Sequence, residues 1–237
     1  MCNQYVKFPL IAHAADRTGA RWIATGHYAS IGSFRGSPVV SAAADRNKDQ
    51  SYFLYRVDPR LLERSIFPLG QGVKEDVRDA VRDLELPAAG NESQDICFLT
   101  EDGLSPFLSA RLAPSRGDVL DMKGNKIGTH RGSCFYTVGQ RKGFGISAPT
   151  PLYVVEIDPE RNAVVLGERE DLFSRRAECR DVVIRGELEG LELKAKIRYR
   201  HPPAQVESVK LKGDRMAVTF REPQRAITPG QSLVLYH

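Results

Sequence analysis

The sequence is poor in cysteine and has no long apolar run, and each shortage removes a class of protein. Four cysteines in 237 residues (Cys2, Cys97, Cys134 and Cys179) are too few for a disulfide scaffold. No pair has CxxC spacing and no Cys/His cluster resembles a zinc site. Each cysteine is therefore a buried apolar residue or a reactive thiol. No stretch approaches the ~18 apolar residues of a membrane-crossing helix. The opening Met-Cys-Asn-Gln-Tyr-Val-Lys-Phe-Pro has neither the basic nor the apolar region of a signal peptide, so the cytoplasm is the expected compartment. There is no internal repeat and no low-complexity tract.

What is present is an ordinary globular composition, 41% hydrophobic and 27% charged. The net charge of +4 is unevenly spread. Residues 1–102 carry 12 Lys+Arg against 14 Asp+Glu, residues 103–172 carry 9 against 8, and residues 173–237 carry 13 against 8. The last third thus has an excess of five positive charges (13 − 8). That suits a polyanion such as nucleic acid, although a solvated basic face on a small β domain explains it equally simply.

Periodicity gives a coarse layout. Residues 7–19 read as a helix with Leu10, Ile11, Ala14 and Ala15 on one face, His13 partly buried and Gly19 as the stop. A short buried strand is expected over 21–25, ending in Gly26-His27-Tyr28, where an α/β sheet places ligands. A Gly/Ser loop over 32–38 leads to a strand at 39–44. Asp45–Ser51 is a polar turn, and short helices follow near 59–64 and over 74–84, the latter with Val77, Val81 and Leu84 inward. Beyond residue 103 come a helix at 104–112 and then strands: 117–120 and 126–129 around a Lys-Gly-Asn turn, a hairpin of 152–157 with 162–167, and alternating stretches at 194–200, 205–211 and 216–220. Short strands at that spacing suggest a small barrel.

Several residues could carry chemistry, each beside a plainer reading. Cys97 lies between a polar loop and an apolar strand, where a thiol is partly exposed or simply buried. Cys2 lies beside a helix start, a place that favours anionic thiols, or at a frayed end. Cys134 and Cys179 read as structural. His27, at a strand end, could meet a ligand, though a lone histidine is more often structural. Gly139-Gln-Arg-Lys-Gly-Phe-Gly145 could grip phosphate or be an exposed basic loop. Lys196, Arg198 and Arg200 alternate as a cationic stripe able to follow a phosphate backbone, with Tyr199 opposite, or as a solvated strand face.

Taken together, Cys2-Asn, Ala24-Thr-Gly-His-Tyr28, Asn47-Lys-Asp-Gln-Ser-Tyr-Phe-Leu-Tyr55, Phe67-Pro-Leu-Gly70, Asp95-Ile-Cys-Phe98, Gly139-Gln-Arg-Lys-Gly143, Arg198-Tyr-Arg200 and Thr228-Pro-Gly-Gln231 resemble, in order, the tRNA-specific 2-thiouridylases. The resemblance implies an enzyme that transfers persulfide sulfur to C2 of the wobble uridine, position 34 of tRNA, after ATP-dependent adenylation. Cys97 would carry the persulfide, and Cys2 would assist and then close a disulfide with it. Gly26 would lie against ATP, with Mg2+ expected. His27, Lys48, Asp49, Gln50, Arg198, Tyr199 and Gln231 would contact the tRNA anticodon loop. A persulfide relay protein would supply the sulfur.

The implied fold is an α/β remnant of a Rossmann-like PP-loop ATPase domain over residues 1–103, a small mixed central domain over 104–172, and a C-terminal tRNA-binding β-barrel over 173–237. The family's Ser-Gly-Gly-x-Asp-Ser phosphate loop does not occur in this sequence. A fragment of a longer protein, a separate chain carrying the ATP loop, or a degenerate relative would each account for that. The alternative expectation is accordingly a tRNA-binding fragment or split-chain partner without complete chemistry.

Overall fold

A computed structural model of the chain describes residues 1–84 and 103–237. Among these, no helix is long and apolar enough to cross a membrane.

The chain opens with a π-helical turn, Asn3–Lys7, that runs straight into helix α1, Phe8–Thr18. The widening falls just before Pro9, which has no N–H to offer and crowds the carbonyl one turn back. Gly19 ends α1 in the left-handed region, φ 71°, and its N–H reaches the carbonyls of Ala15 and Asp16. The buried face of α1 is Phe8, Ala12 and Ala15, with Ile11 beside it. This corrects the expected face: Leu10 and Ala14 point outward, as does His13. Phe8, Ile11, Ala12 and Ala15 form one apolar stripe at helical spacing and Leu10, Ile11, Ala14 and Ala15 a neighbouring one, and the bulk of Phe8 decides which is buried.

Strand β1 is only Ile23–Ala24 and pairs in parallel with β4, Ser65–Ile66. It is shorter than expected, and Trp22 is exposed. The segment read as a Gly/Ser loop is instead a hairpin. Strands β2 (Ser30–Phe34) and β3 (Ser37–Ser41) pair antiparallel around Arg35-Gly36, both at positive φ (50° and 78°), the backbone a two-residue hairpin turn requires. Helix α2, Pro59–Glu63, starts on Asp58, whose carboxylate accepts from the Arg60 N–H at 2.9 Å, with Pro59 in the first turn. Phe8, Ile23, Ala29, Leu54, Val57, Leu62 and Phe67 form the core of this part. Gly70 lies hard against it: a Cβ there would come within 2.1 Å of the Ala29 carbonyl oxygen. Helix α3, Lys74–Asp83, buries no residue, and Leu84 after it is exposed, contrary to the inward role expected of it.

After α4, Leu104–Leu112, a second core forms around Val119, Tyr136, Val154, Val164 and Leu166. Its sheet comprises β5 (Gly117–Leu120), β6 (Lys126–His130), β7 (Tyr153–Asp158) and β8 (Ala163–Gly167), in the order β6-β5-β8-β7. His130 is buried there; the Gly132 N–H donates to its Nδ1, so the ring proton sits on Nε2 and faces the Asn162 carbonyl at 3.0 Å.

The last sheet has the order β13-β10-β11-β12-β9, all antiparallel. Its strands are β9 (Phe173–Cys179), β10 (Lys194–Lys196), β11 (Ala204–Lys212), β12 (Arg215–Arg225) and β13 (Val234–Tyr236). Strands β9 and β13 fell outside the sequence reading. An irregularity between Thr219 and Gln224 breaks the β12–β9 register. Among the described strands the sheet is open, with β13 and β9 as its edges, rather than a closed barrel. Residues 194–200, read as one strand, are a strand only as far as Lys196; Arg198 and Tyr199 lie in the bend and turn that follow.

Candidate functional site

The polar segment 45–55 is the hub of the molecule. Asp45 accepts from the Asn47 N–H at 3.0 Å and, with its other oxygen, from the Lys74 N–H at 3.1 Å, so it caps α3 from a distant loop. Asp49 is buried. Its Oδ1 accepts from the Ala43 and Ser51 N–H groups at 3.1 Å each, and its Oδ2 from the Ser51 hydroxyl at 2.9 Å. Gln50 is locked to Tyr28 in both directions: its Oε1 accepts from the Tyr28 N–H at 2.9 Å and its N–H donates to the Tyr28 carbonyl at 2.7 Å. This joins the Gly26-His27-Tyr28 corner to the Lys48-Asp49-Gln50 turn. Lys48 is half-buried, with its N–H on the Asp45 carbonyl.

The same segment clasps the C-terminal end. Tyr52 donates its hydroxyl proton to the Ser232 carbonyl at 2.7 Å, the Tyr55 hydroxyl meets the Ser232 hydroxyl at 2.9 Å, and the Ser51 and Tyr236 hydroxyls lie 3.1 Å apart. Burial pushes the Tyr236 phenol up to about 12 and raises that of Tyr52. Ser232 and Tyr236 escaped the sequence reading because a serine and a tyrosine near a chain end carry no local signal; only the tertiary clasp gives them a task.

His27 sits between rings, stacked on Phe8 at 5.9 Å and edge-on to Phe67 at 5.9 Å, with Nδ1 2.8 Å from the Thr25 hydroxyl. Burial first, and Lys7 second, lower its pKa to about 4, so the imidazole is neutral at pH 7. Gly26 is exposed at the carboxyl end of β1; among the described residues only Leu69 Cδ1, at 3.8 Å, would approach a Cβ there. The backbone at this strand end is therefore open to close approach by a ligand.

The expected cationic stripe does not form. Lys196 is buried, its ammonium 3.9 Å from Asp49 and 5.8 Å from the Tyr199 ring. Arg198 turns inward to the Ala226 carbonyl and to the Thr228 hydroxyl at 2.6 Å, and burial lowers its pKa. Of the three, only Arg200 is exposed. A strand that ends at Lys196 cannot keep alternate residues on one face. Tyr199 instead stacks obliquely on Phe53, with ring centroids 4.5 Å apart. Gln231 is exposed in the turn before β13.

Cys2 is exposed at the start of the π turn. The next residue, Asn3, donates from Nδ2 to the Phe53 carbonyl at 3.1 Å, tying the Cys2 turn to the aromatic pair. Cys97 lies outside the described residues. Cys134 and Cys179 are half-buried free thiols, and burial raises the Cys179 pKa, which disfavours a reactive thiolate. In the 139–145 loop, Gln140 folds back to accept from the Thr137 N–H and donate to the Lys142 carbonyl, while Phe144 packs into the second core; Arg141 and Lys142 are exposed.

A cavity of about 2160 Å³ opens between the β2–β3 hairpin, the 46–56 loop and the last sheet. Among the described residues, ten Lys and Arg side chains line it against four Asp and Glu, so its potential favours an anionic occupant. Asp49 and Gln231 are on its wall, whereas Gly26, His27, Lys48, Gln50, Arg198 and Tyr199 are not. Among the described residues, the candidates Lys48, Asp49 and Gln50 lie in the 45–55 hub, Tyr199 packs on its Phe53, and Cys2 and His27 each adjoin a residue bonded to it. Among the described residues, no cluster of His, Cys, Asp and Glu could hold a metal ion.

Comparison with known proteins agrees along the chain. Residues 1–101 match a family described as the tRNA methyl transferase HUP domain, residues 105–168 the tRNA methyl transferase PRC-barrel domain, and residues 180–237 the aminomethyltransferase beta-barrel domain. The tRNA-specific 2-thiouridylase MnmA of Pelotomaculum thermopropionicum is 44% identical over 242 residues, covering 99% of this chain and 66% of that protein. Those of Gloeothece citriformis and Moorella thermoacetica are each 42% identical, covering 99% of this chain and 70% and 68% of those proteins. The chain therefore spans about two thirds of the length of these relatives. With identity at this level continuous across a hub that ties both ends of the molecule together, the chain belongs to the tRNA-specific 2-thiouridylase family.

Proposed function

We propose that this chain performs the sulfur-transfer and tRNA-holding work of a tRNA 2-thiouridylase acting on C2 of the wobble uridine at position 34. Residues 1–103 form the thiotransferase part of an ATP-using domain, residues 104–172 a central domain, and residues 173–237 a tRNA-binding β domain. The observation that carries the reading is the Asn3–Phe53 hydrogen bond. It holds the turn bearing Cys2 against the segment that contains Lys48, Asp49 and Gln50 and packs on Tyr199.

The C2 oxygen of uracil is a poor leaving group, and ATP supplies adenylation to make it a good one. Gly26, open at its strand end, lies against the nucleotide. The terminal sulfur of a Cys97 persulfide then attacks C2, and AMP departs with the oxygen. The Cys2 thiolate attacks the inner sulfur of Cys97; that S–S bond breaks, sulfur stays on C2, and a Cys2–Cys97 disulfide forms. A persulfide donor protein recharges the system after an external thiol reduces the disulfide. Closing it needs a Cα separation below about 7 Å. Neutral His27, Lys48, Gln50, Tyr199 and Gln231 hold the anticodon loop, whose unpaired bases can be splayed out of the stack, while buried Asp49 and inward-turned Arg198 fix the turns that present them.

Thiolation of tRNA by this chain, supplied with ATP, a persulfide donor and, where the chain alone is silent, the family's phosphate-loop segment, tests the reading by retardation of thiolated tRNA on mercury gels. Cys97→Ser and Cys2→Ser are each expected to abolish product. Normal thiolation by Cys97→Ser would falsify the persulfide role. RNA binding without thiolation under any supplement would favour the alternative, a tRNA-holding fragment or partner of a separate ATP-loop chain.

A further inference from the structure

We infer that Phe53 is a base-stacking residue that holds one unpaired nucleobase of the RNA beside the Cys2 turn; this rests on the tRNA reading above. Within the run Ser51-Tyr-Phe-Leu-Tyr55, Tyr52 and Leu54 are buried, whereas Phe53 stays 45% exposed. Tyr52 and Tyr199 pack on the Phe53 ring, and the part of it that stays exposed is available to a further flat ring. The turn is rigid: the Phe53 N–H donates to the Gln50 carbonyl at 3.0 Å, and the Phe53 carbonyl accepts from Asn3 at 3.1 Å.

Two other rings frame Phe53. Tyr199 lies 4.5 Å away at 39°, and Tyr52 meets it edge-on at 5.5 Å. Lys196 sits over the Tyr199 ring and Arg200 is exposed next to it. A preset aromatic face with the exposed Arg200 close to Tyr199 is the chemistry that takes a flat, unpaired base attached to phosphates. Duplex RNA, with its bases stacked inward, offers that face nothing.

The test is binding by the full chain of an anticodon stem-loop RNA and of a duplex of equal charge without unpaired bases. Phe53→Ala is expected to weaken stem-loop binding about 5- to 150-fold, the span for losing one base–aromatic stack, with the salt dependence unchanged and duplex binding untouched. Phe53→Leu keeps the apolar bulk and is expected to lose the same factor, while Phe53→Tyr restores it. Trp22 is the single natural tryptophan, so Phe53→Trp in a Trp22→Phe background gives one reporter, whose emission is expected to be quenched by the stem-loop and not by the duplex. Wild-type affinity in both Phe53→Ala and Phe53→Leu, or equal losses on stem-loop and duplex, would overturn the stacking role and leave the tRNA reading standing. A wild-type chain that binds neither RNA would overturn both.

Discussion

At the residue scale, burial decides which charges act. Asp49 and Lys196 read from the sequence as exposed RNA contacts; both are buried and face each other. Their substitutions should be unequal. Asp49→Ala strands the Lys196 ammonium and removes the acceptor of three hydrogen bonds, a loss of about 2–4 kcal/mol. Lys196→Met removes the counter-charge of buried Asp49 but leaves its three hydrogen bonds, and should cost the smaller amount. Equal losses in urea unfolding would contradict the arrangement. His27 gives a pH test. Its folded pKa of about 4 lies below the ordinary 6.5, so the unfolded chain binds more protons between these values. The stability contribution is complete above 6.5 and drains away as pH falls toward 4. His27→Gln should flatten that part of the stability–pH curve, and the titration of the His27 ring by NMR should show the low midpoint directly.

At the element scale, what matters is how closely backbones meet. Gly70 has no room for a methyl group beside the Ala29 carbonyl. Gly70→Ala should therefore cost about 1–3 kcal/mol by thermal unfolding, although alanine suits most backbones better than glycine. Helix α3 takes its cap from Asp45 across the fold, so Asp45→Ala should destabilise by about 1 kcal/mol. The sequence shows the elements unevenly. Helices α2 and α4 and the β7–β8 hairpin were legible because their signals are local: a capping Asp-Pro, an apolar helical run, a turn between alternating residues. Strand β2 was hidden because it is rich in Ser and Gly, although the strand expected at 39–44 overlaps β3, and the inward face of α1 because two neighbouring apolar stripes share Ile11 and Ala15.

At the scale of the whole molecule, segment 45–55 joins the first core to the last sheet, and the cavity between them is strongly basic. RNA binding should weaken linearly in log Kd against log salt. Lys48→Gln should lower that slope by about one without changing preference among stem-loops. A salt-independent affinity would contradict phosphate binding altogether.

The sequence alone determined the family, through long motifs whose order no local structure dictates, and the α/β-then-β layout, through periodicity. It could not determine which lysines and arginines face water. A strand that stops at Lys196, an arginine drawn to the Ala226 carbonyl and a tyrosine clasp on Ser232 depend on contacts between residues 28 to 180 positions apart, or on where a strand ends against its neighbours. Local pattern carries no information about such meetings, because the free energy that settles them comes from desolvating groups that become neighbours only when the chain is folded.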